Sequence, residues 1–410
     1  MHLPSDVRFL FLTRFTRLFA YGALSVVLVI YLTRLGLTDS QSGFLLTAAL
    51  IGDTVITLWL STRADRFGRR RTLMIGALLM LGAGAVFAST RNLLALVVAG
   101  TIGVISPSGH EVGPFLSIEQ AALSHLATDR RRTEVLAWYT LTGAFALSLG
   151  SLAAGLLAQT GNGTDMSIGS ARRVVWLYAL AGVALCGLFA RLSSSVEAAG
   201  ETGAAPSKDL LGLRDSRPVV LRLAALFAMD AFGGGFVVQS FVAYWFHLRF
   251  RTEPAVLGGI FFGANLLAGV SAVLASRLAS RIGLVRTMVF THLPSNILLM
   301  CVPLMPNMES AIAVLLARFS ISQMDVPARQ SYTMAIVRPE ERSAAGGVTG
   351  VARTLGAALA PVFAGLLFSV PALIGWPFFI AGGLKIGYDL LLYRGFAHVH
   401  PPEEERRSRR

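Results

Sequence analysis

The sequence predicts an all-α membrane protein with twelve transmembrane helices, arranged as two pseudo-symmetric bundles of six. Three observations lead to this fold class: the composition, the recurring apolar runs and a repeat between the two halves of the chain. Hydrophobic residues make up 54% of the 410 residues and charged residues only 14%, whereas soluble chains carry about 25% charged residues. A folded chain with so few charges must place most of its surface against lipid. This composition excludes a soluble enzyme, and we expect no enzymatic activity.

Apolar runs of about 20 residues, the length that crosses a bilayer as a helix, recur along the whole chain. Hydropathy and breaker residues place twelve spans near 10–34, 42–62, 72–90, 93–126, 133–158, 173–193, 219–248, 255–277, 286–304, 310–336, 343–369 and 372–394. A polar stretch of mixed charge separates the sixth span from the seventh. We therefore predict a first bundle at 1–193, a cytoplasmic linker at 194–217, a second bundle at 218–395 and a disordered cytoplasmic tail at 396–410.

The basic residues predict the orientation of the spans. Nearly all are Arg, and they cluster in short segments at 63–71, 130–132, 277–286 and 406–410. Short Arg-rich loops lie on the cytoplasmic side of a membrane protein, so we place both termini in the cytoplasm. We expect a multi-pass protein of the plasma membrane, or the inner membrane of a bacterium, that functions as a monomer. This placement also explains the net charge of +13 without a nucleic-acid partner.

The two halves of the chain share one plan. Fixed shifts of 215 and then 210 residues align pairs of identical residues: Arg66 with Arg281, Gly68 with Gly283, and Gln120 with Gln330. Five extra residues therefore lie in the first half, and the segment 106–114, with two prolines and two glycines, is the natural place for them. A straight fourth helix would be about 50 Å long, too long for one crossing. We predict that this span is broken, kinked or extended, and that the interruption marks a binding site.

The loop after the second span reads Ser61-Thr-Arg-Ala-Asp65-Arg-Phe-Gly68-Arg-Arg-Arg71. It resembles the signature loop of the major facilitator superfamily, Gly-x-x-x-Asp-Arg-x-Gly-Arg-Arg/Lys, although Ser61 stands where the family usually has Gly. A weaker copy stands at Ser280-Arg281-Ile-Gly283. Together with the spans, the repeat and the linker, the resemblance covers essentially the whole chain. It implies alternating access, in which the two halves rock around a central site.

Among the residues of this loop, Asp65 is the one whose chemistry suggests a specific role. Its carboxylate is placed to accept hydrogen bonds from exposed amides at the start of span eleven, near 342–345, a contact that stabilises by about 0.3–1 kcal/mol. We expect a latch that holds the outward-open form, a role that the resemblance also implies. The predicted gating residues are Asp65, Arg66, Gly68, Arg69, Arg281 and Gly283. For Arg70 and Arg71, membrane orientation alone is a sufficient explanation.

Ionisable residues inside the spans are stronger candidates for functional residues than those of the loop. Each costs about 2.5–3.5 kcal/mol on insertion scales, so its presence needs a reason. The candidate substrate and proton residues are Glu111, Glu119, Gln120, Asp230, Arg318, Asp325, Arg329 and Arg353. On a continuous tenth helix, Arg318, Asp325 and Arg329 would share one face. The shift of 210 matches Glu119 with Arg329, so we predict a cluster of Glu119, Arg329 and Asp325. A static ion pair that only fixes helix packing is the alternative.

These charges suggest how the molecule would work. Burial favours the protonated form of a carboxylate, and a neighbouring guanidinium favours the ionised form, so a change in surroundings can move a proton. The basic interior of the second half suits a solute with a negative group. We therefore predict proton-coupled transport of a small organic solute, preferably anionic or zwitterionic. Two alternatives stay open: a proton/drug antiporter that exports amphiphilic compounds, and a non-transporting receptor or scaffold on the same fold.

Two patterns weigh against the drug antiporter. Exporters of that branch usually carry an Arg in span four and a Gly-Pro stretch in span five, whereas 101–105 has no Arg and 143–155 has no Pro. The sequence also shows no phosphate-cradling Gly-Lys-Ser/Thr loop and no zinc-ligand spacing. We therefore expect no cofactor, no metal and no nucleotide-driven pumping.

Overall fold

The computed structural model describes residues 5–127, 129–159, 166–197, 213 and 215–399. Over these ranges the chain is helical, and they contain no β-strand. The predicted linker lies largely outside the described residues, at 198–212 and 214, as does the predicted tail from residue 400 onward.

Fifteen α-helices, counted over the described residues, follow one another along the chain. They are α1 (Ser5–Arg34), α2 (Asp39–Phe67), α3 (Arg69–Ser89), α4 (Leu93–Ile102), α5 (Phe115–Leu126), α6 (Asp129–Ala158), α7 (Ile168–Ala190), α8 (Arg217–Gly235), α9 (Gln239–Phe250), α10 (Pro254–Ile282), α11 (Leu284–Cys301), α12 (Met308–Phe319), α13 (Asp325–Ala335), α14 (Arg342–Phe368) and α15 (Trp376–Phe396). Short 3₁₀ turns lie at Ser194–Val196, Val302–Leu304, Pro339–Glu341 and Pro371–Leu373.

The predicted all-α membrane fold is confirmed. Within the part of the chain that the structure describes, nine helical stretches are long and apolar enough to cross a bilayer. The count of twelve spans stays a prediction. The three additional spans that it requires coincide with α4 plus α5, α12 plus α13, and α15.

The fourth span is broken, as predicted. Helix α4 ends at Ile102, α5 begins at Phe115, and the Gly/Pro segment between them is irregular. Gly109 and Gly113 in this segment have φ angles of 75° and 80°, a region that residues with a Cβ rarely adopt. Between α4 and α5 the backbone is therefore not helical. Membrane proteins tolerate such backbone only where protein or water surrounds it.

The prediction of a continuous tenth helix is wrong. Helix α12 ends at Phe319 and α13 begins only at Asp325. Pro327 in the first turn of α13 supplies the physical reason, since proline has no N–H for the carbonyl four residues earlier and its ring clashes with that carbonyl. Arg318 therefore lies on a different helix from Asp325 and Arg329.

The described chain forms two compact units. The first takes its residues from Met1–Thr202 and Val238–Asn265, and the second from Gly203–Val237 and Leu266–Arg410. The segment Val238–Asn265 belongs to the second half by the sequence repeat, yet it groups with the first unit by contacts. The two bundles predicted from the sequence repeat, 1–193 and 218–395, therefore stay a prediction.

In the first unit, α1 packs mainly against α6 and α7, and α9 also lies on α1. Gly155 of α6 and Gly258 of α10 let two helix backbones meet: a Cβ added to Gly258 would lie 2.8 Å from the Cα of Gly155. Small residues that allow such close approach are the usual basis of helix packing in membranes.

In the second unit, α8 packs against α14 and α15, and α11 packs against α15 and α13. Buried apolar and aromatic side chains fill the space between these helices, among them Phe227, Met288, Tyr332 and Tyr388. This packing brings together ionisable side chains from α8, α11, α13, α14 and α15, which form the second charge cluster described below.

Candidate functional site

The first cluster of buried charges lies in the first unit and consists of Thr13, Arg14, Arg17, Glu111, Glu119 and Tyr139. Arg17 and Glu119 form its centre. Arg17 donates to both carboxylate oxygens of Glu119, at 2.9 and 2.7 Å, and both side chains have 0% exposure. Thr13 donates to the same carboxylate at 2.8 Å, and the Tyr139 hydroxyl donates to it as well. The Glu119 carboxylate is therefore bidentate and fully enclosed.

The edge of the first cluster is formed by Glu111, which comes from the interrupted segment of span four. Arg17 donates to it at 3.2 and 3.0 Å, and Arg14 forms a further ion pair with it. Glu111 keeps 13% of its side chain exposed and Arg14 keeps 9%. This pair, rather than Glu119, is the part of the cluster that keeps exposed side-chain surface.

Aromatic rings hold the two arginines in place. The Arg17 guanidinium lies 4.6 Å from the ring centre of Phe115, and Arg14 lies 4.7 Å from that of Tyr139. Such cation–π contacts stabilise by about 0.5–2 kcal/mol, more when desolvated. Asp53 of α2 fixes the interrupted segment by accepting from the Gly113 amide at 2.6 Å.

The second cluster lies in the second unit, and Asp230 of α8 is its hub. Three cations from three helices bond to this carboxylate: Lys385 at 2.6 Å, Arg329 at 3.2 Å and Arg353 at 3.3 Å. Asp230 itself is 3% exposed. Asp325 pairs with Arg329 at 2.9 Å, the one-turn pairing that the spacing predicts.

His292 of α11 extends the second cluster toward Asp389 of α15. Its Nδ1 atom lies 2.9 Å from Asp389, and its Nε2 atom lies 3.6 Å from Asp230. Asn296, one turn along α11, donates to Asp389 at 3.1 Å. The imidazole thus stands between two buried carboxylates.

Arg318 of α12 completes the second cluster. It interacts electrostatically with Asp230 and Asp325. Its Nε atom is buried and has no hydrogen-bond partner among the described residues. A buried donor that lacks a partner costs about 1–3 kcal/mol, or more when it is charged, so this guanidinium has an unused hydrogen bond.

Glu119 and Arg329, which the sequence predicts in one cluster, lie in different clusters of different units. The residues that bond Glu119 are on α1 and α6, and those that bond Arg329 are on α8 and on its own helix. The physical reason is that repeat-related residues occupy equivalent positions in the two halves, which does not bring them into contact. Gln120 follows Glu119 on α5 and is partly exposed.

The residues that sequence reasoning missed are Arg14, Arg17, Tyr139, His292, Lys385 and Asp389. A signal existed for most of them. Arg14 and Arg17 are basic residues three positions apart in the first apolar run, and Lys385 and Asp389 are an oppositely charged pair four apart in the last one. Each fits the rule that ionisable residues inside spans are functional candidates.

Comparison with known proteins decides the family. The profile of the Major Facilitator Superfamily matches residues 10–324. The chain belongs to this superfamily. It is a multi-pass membrane transporter rather than an enzyme.

Its relatives extend the match along the whole chain. An uncharacterized membrane protein of Saccharomyces cerevisiae, YJR124C, is 30% identical over 420 residues, which cover 94% of this chain and 93% of the relative. The nucleoside transporter NupG superposes with a TM-score of 0.75 at 13% identity, covering 96% of this chain and 100% of NupG. The D-xylose-proton symporter gives 0.71 at 15% identity, with 95% and 98% covered. At these identities the two structures show a shared fold.

The signature loop of the superfamily lies in the first unit. Gly68 ends α2 with a φ of 95°, and Gly283, its repeat equivalent, ends α10 with a φ of 90°. Asp65 is 66% exposed and accepts from Arg69 at 2.8 Å. Arg66 and Arg281 are exposed. The first backbone amides of α3 donate to the Glu197 carboxylate, at 2.6 Å from Arg69 and 3.3 Å from Arg70. Glu197 is not among the residues that the sequence predicted for this site.

The latch role of Asp65 stays a proposal, and a single substitution tests it. We expect Asp65→Asn to increase the inward-open population, because a neutral amide binds the start of a helix more weakly than a carboxylate does. Labelling of single cysteines introduced on the two sides of the membrane measures this shift. Glu134→Gln, which neutralises an exposed carboxylate at the start of α6, is the control. Equal labelling of Asp65→Asn and the parent protein would count against the latch.

Proposed function

We propose that this transporter carries a small organic anion or zwitterion by alternating access and couples its movement to protons. The charge balance of the second cluster carries the proposal. Four permanent cations, Arg318, Arg329, Arg353 and Lys385, face three carboxylates, Asp230, Asp325 and Asp389. With a neutral His292 the sum is 4 − 3, a net charge of +1. An uncompensated buried charge is costly, and a bound anionic group would compensate it.

Two arginines are placed to meet such a group. Arg318 has the unpartnered Nε atom, and Arg353 keeps 34% of its side chain exposed while holding Asp230. A guanidinium binds a carboxylate or phosphate through two parallel hydrogen bonds, which makes arginine the preferred residue for this task.

Helix α14 carries features of a helix that borders water on one side. Its exposed residues form two stripes at helical spacing. One is apolar, with Leu355, Leu359, Phe363 and Leu366. The other is small or polar, with Ser343, Gly347, Gly350 and Thr354. The second stripe presents little apolar side-chain area to lipid, and Arg353 adjoins it, which supports access of a dissolved solute to this arginine.

The first cluster supports proton coupling. Its two arginines and two glutamates balance when both carboxylates are ionised, and protonation of either one leaves an excess positive charge. Glu119 is enclosed, and Glu111 lies at the accessible edge. We therefore propose that span four takes up and releases the coupled proton through Glu111 and Glu119, with Arg14 and Arg17 as their counter-ions.

A thermal-shift panel on the purified protein tests the solute class. A ligand stabilises the state it binds by mass action, by about 2.7 kcal/mol at 100 times its Kd. The panel contains lactate, gluconate and glutamate, the neutral compounds uridine and xylose, and the lipophilic cations ethidium and tetraphenylphosphonium. We expect stabilisation by an anion or by glutamate, and none by the cations.

The matched variants are Arg353→Gln and Arg222→Gln. Arg353→Gln should weaken binding of the stabilising anion by about tenfold or more, in line with the loss of a charged hydrogen bond of about 1.5–3 kcal/mol. Arg222 is an exposed arginine of α8, and its replacement should leave binding unchanged. Stabilisation by the lipophilic cations alone would favour the drug antiporter. Stabilisation by uridine or xylose alone would contradict the anionic solute.

A further inference from the structure

His292 is an ionisable side chain that the proposed function does not use. It is 5% exposed and lies between two carboxylates from two other helices. Its Nδ1 atom is 2.9 Å from the Oδ1 atom of Asp389, and its Nε2 atom is 3.6 Å from the Oδ1 atom of Asp230. Histidine is the side chain whose charge most readily changes near neutral pH, so this position combines an exchangeable proton with fixed charges.

The hydrogen bonds assign the tautomer. We place a proton on Nδ1, because the Asp389 carboxylate at 2.9 Å accepts it. The Asn296 amide, 3.2 Å from the same nitrogen, has its own acceptor in Asp389 at 3.1 Å. Nε2 is then the basic atom of the ring. It faces Asp230 across a gap longer than a hydrogen bond, as expected for two acceptors.

A proton on Nε2 would act on the whole second cluster. The ring faces Asp230 of α8 and Tyr388 and Asp389 of α15. Asp230 connects the ring to Lys385, Arg329 and Arg353. Asp325 pairs with Arg329, and Arg318 interacts electrostatically with both Asp230 and Asp325. Asp230 already bonds three cations. An imidazolium would be the fourth, and it would weaken the hold of Asp230 on Arg329 and Arg353.

We propose that His292 is a second proton-binding site of this transporter, and that its protonation strengthens binding of the solute's anionic group by Arg318, Arg329 and Arg353. This inference rests on the proposed function. Protonation raises the net charge of the second cluster from +1 to +2 and frees guanidinium donors from Asp230. The anion and the proton therefore bind more tightly together than alone, and each must increase the affinity of the other by the same factor. Such coupling corresponds to symport of a proton with the anion.

The first test observes the ring itself and needs no solute. Protein labelled with ¹⁵N histidine is studied by nuclear magnetic resonance at pH values between about 5 and 9. We expect one ring signal, missing in His292→Gln, to change from the neutral to the protonated form. Asp389→Asn, which keeps the histidine, should weaken the preference for a proton on Nδ1, because the carboxylate that accepts this hydrogen bond is gone. A His292 signal that stays in one form throughout would overturn the proton site.

The second test measures the coupling. Gluconate affinity is determined by thermal shift at about pH 6 and pH 8 for the parent protein, His292→Gln and His125→Gln, which replaces an exposed histidine at the end of α5. We expect about tenfold tighter binding at pH 6 in the parent and in His125→Gln, within the range usual for coupled sites. His292→Gln should show a clearly smaller difference in gluconate affinity between the two pH values, with the remainder contributed by the first cluster. A difference as large in His292→Gln as in the parent protein would overturn the coupling.

The two tests separate this inference from the proposed function. If neither gluconate nor any other anion of the panel binds the parent protein, the anionic solute is wrong, and the coupling to His292 fails with it. The ring spectra still decide whether His292 is a proton site. If anions bind and only the pH dependence behaves otherwise, the proposed function stands and the role of His292 does not.

Discussion

Replacement of Asp230 by asparagine is expected to destabilise the second unit by about 3–5 kcal/mol and to abolish transport. Removal of one partner from a buried ion pair costs this much because it leaves an uncompensated charge. Here one carboxylate compensates Lys385, Arg329 and Arg353 at once. Thermal unfolding of the purified protein measures the first effect. Uptake of a panel-selected solute into proteoliposomes measures the second.

Two further variants sharpen this prediction. Asp325→Asn removes a carboxylate whose ion pair is with Arg329. Arg329 still has its second ion pair, with Asp230. We expect a smaller loss, about 1.5–3 kcal/mol. The double variant Asp230→Asn with Lys385→Met removes an anion together with a cation and should recover part of the lost stability, since Lys385 is then no longer a buried charge without its partner. An Asp230→Asn protein as stable as Asp325→Asn would show that Asp230 is not the hub.

Helix interruptions show what the sequence could and could not predict about the fold. The break in span four follows from an excess of residues over the repeat and from two prolines and two glycines in one segment. The break in span ten has a weaker signal, the single Pro327, inside an otherwise continuous pattern. A lone proline is compatible with a kinked helix as well as with a break, so the local sequence does not choose between them.

For the candidate site, the sequence predicts individual residues but not their partners on other helices. Charges inside spans identify individual candidates, and helical spacing pairs Asp325 with Arg329 on one helix. Partners on other helices depend on which faces meet, and that is decided by packing of apolar residues spread over the chain. The repeat identified Glu119 and Arg329 as equivalent positions of opposite sign. In the structure each lies in the buried cluster of its own unit, Glu119 bonded by Arg17 and Arg329 bonded to Asp230.

The two clusters therefore differ in net charge. The first contains two arginines and two glutamates, and one of its carboxylates is partly exposed. The second holds an excess of permanent cations. A transporter that moves an anion with protons needs both properties, a group that exchanges protons and a basic site that accepts the solute. The symmetric fold thus carries an asymmetric pair of charge clusters.

Glu119→Gln and Glu111→Gln are expected to remove proton coupling from the first cluster. A glutamine cannot carry the exchanged proton, so we expect solute uptake driven by a pH gradient to fall by about 100-fold or more, within the range for loss of an acid–base group. Exchange of labelled for unlabelled solute without net proton movement should persist. Uptake into proteoliposomes with and without an imposed pH gradient separates the two.

Stability distinguishes this coupling from a static ion pair. Glu119 is enclosed and bonded by Arg17, Thr13 and Tyr139, so Glu119→Gln should lower the free energy of unfolding by about 1.5–3 kcal/mol. Glu111 is partly exposed, so Glu111→Gln should cost less while affecting coupling as strongly. If both variants lose stability and still respond to the pH gradient like the parent protein, the first cluster only fixes helix packing. Equal coupling loss with unequal stability loss is the pattern that a proton site with an accessible edge requires.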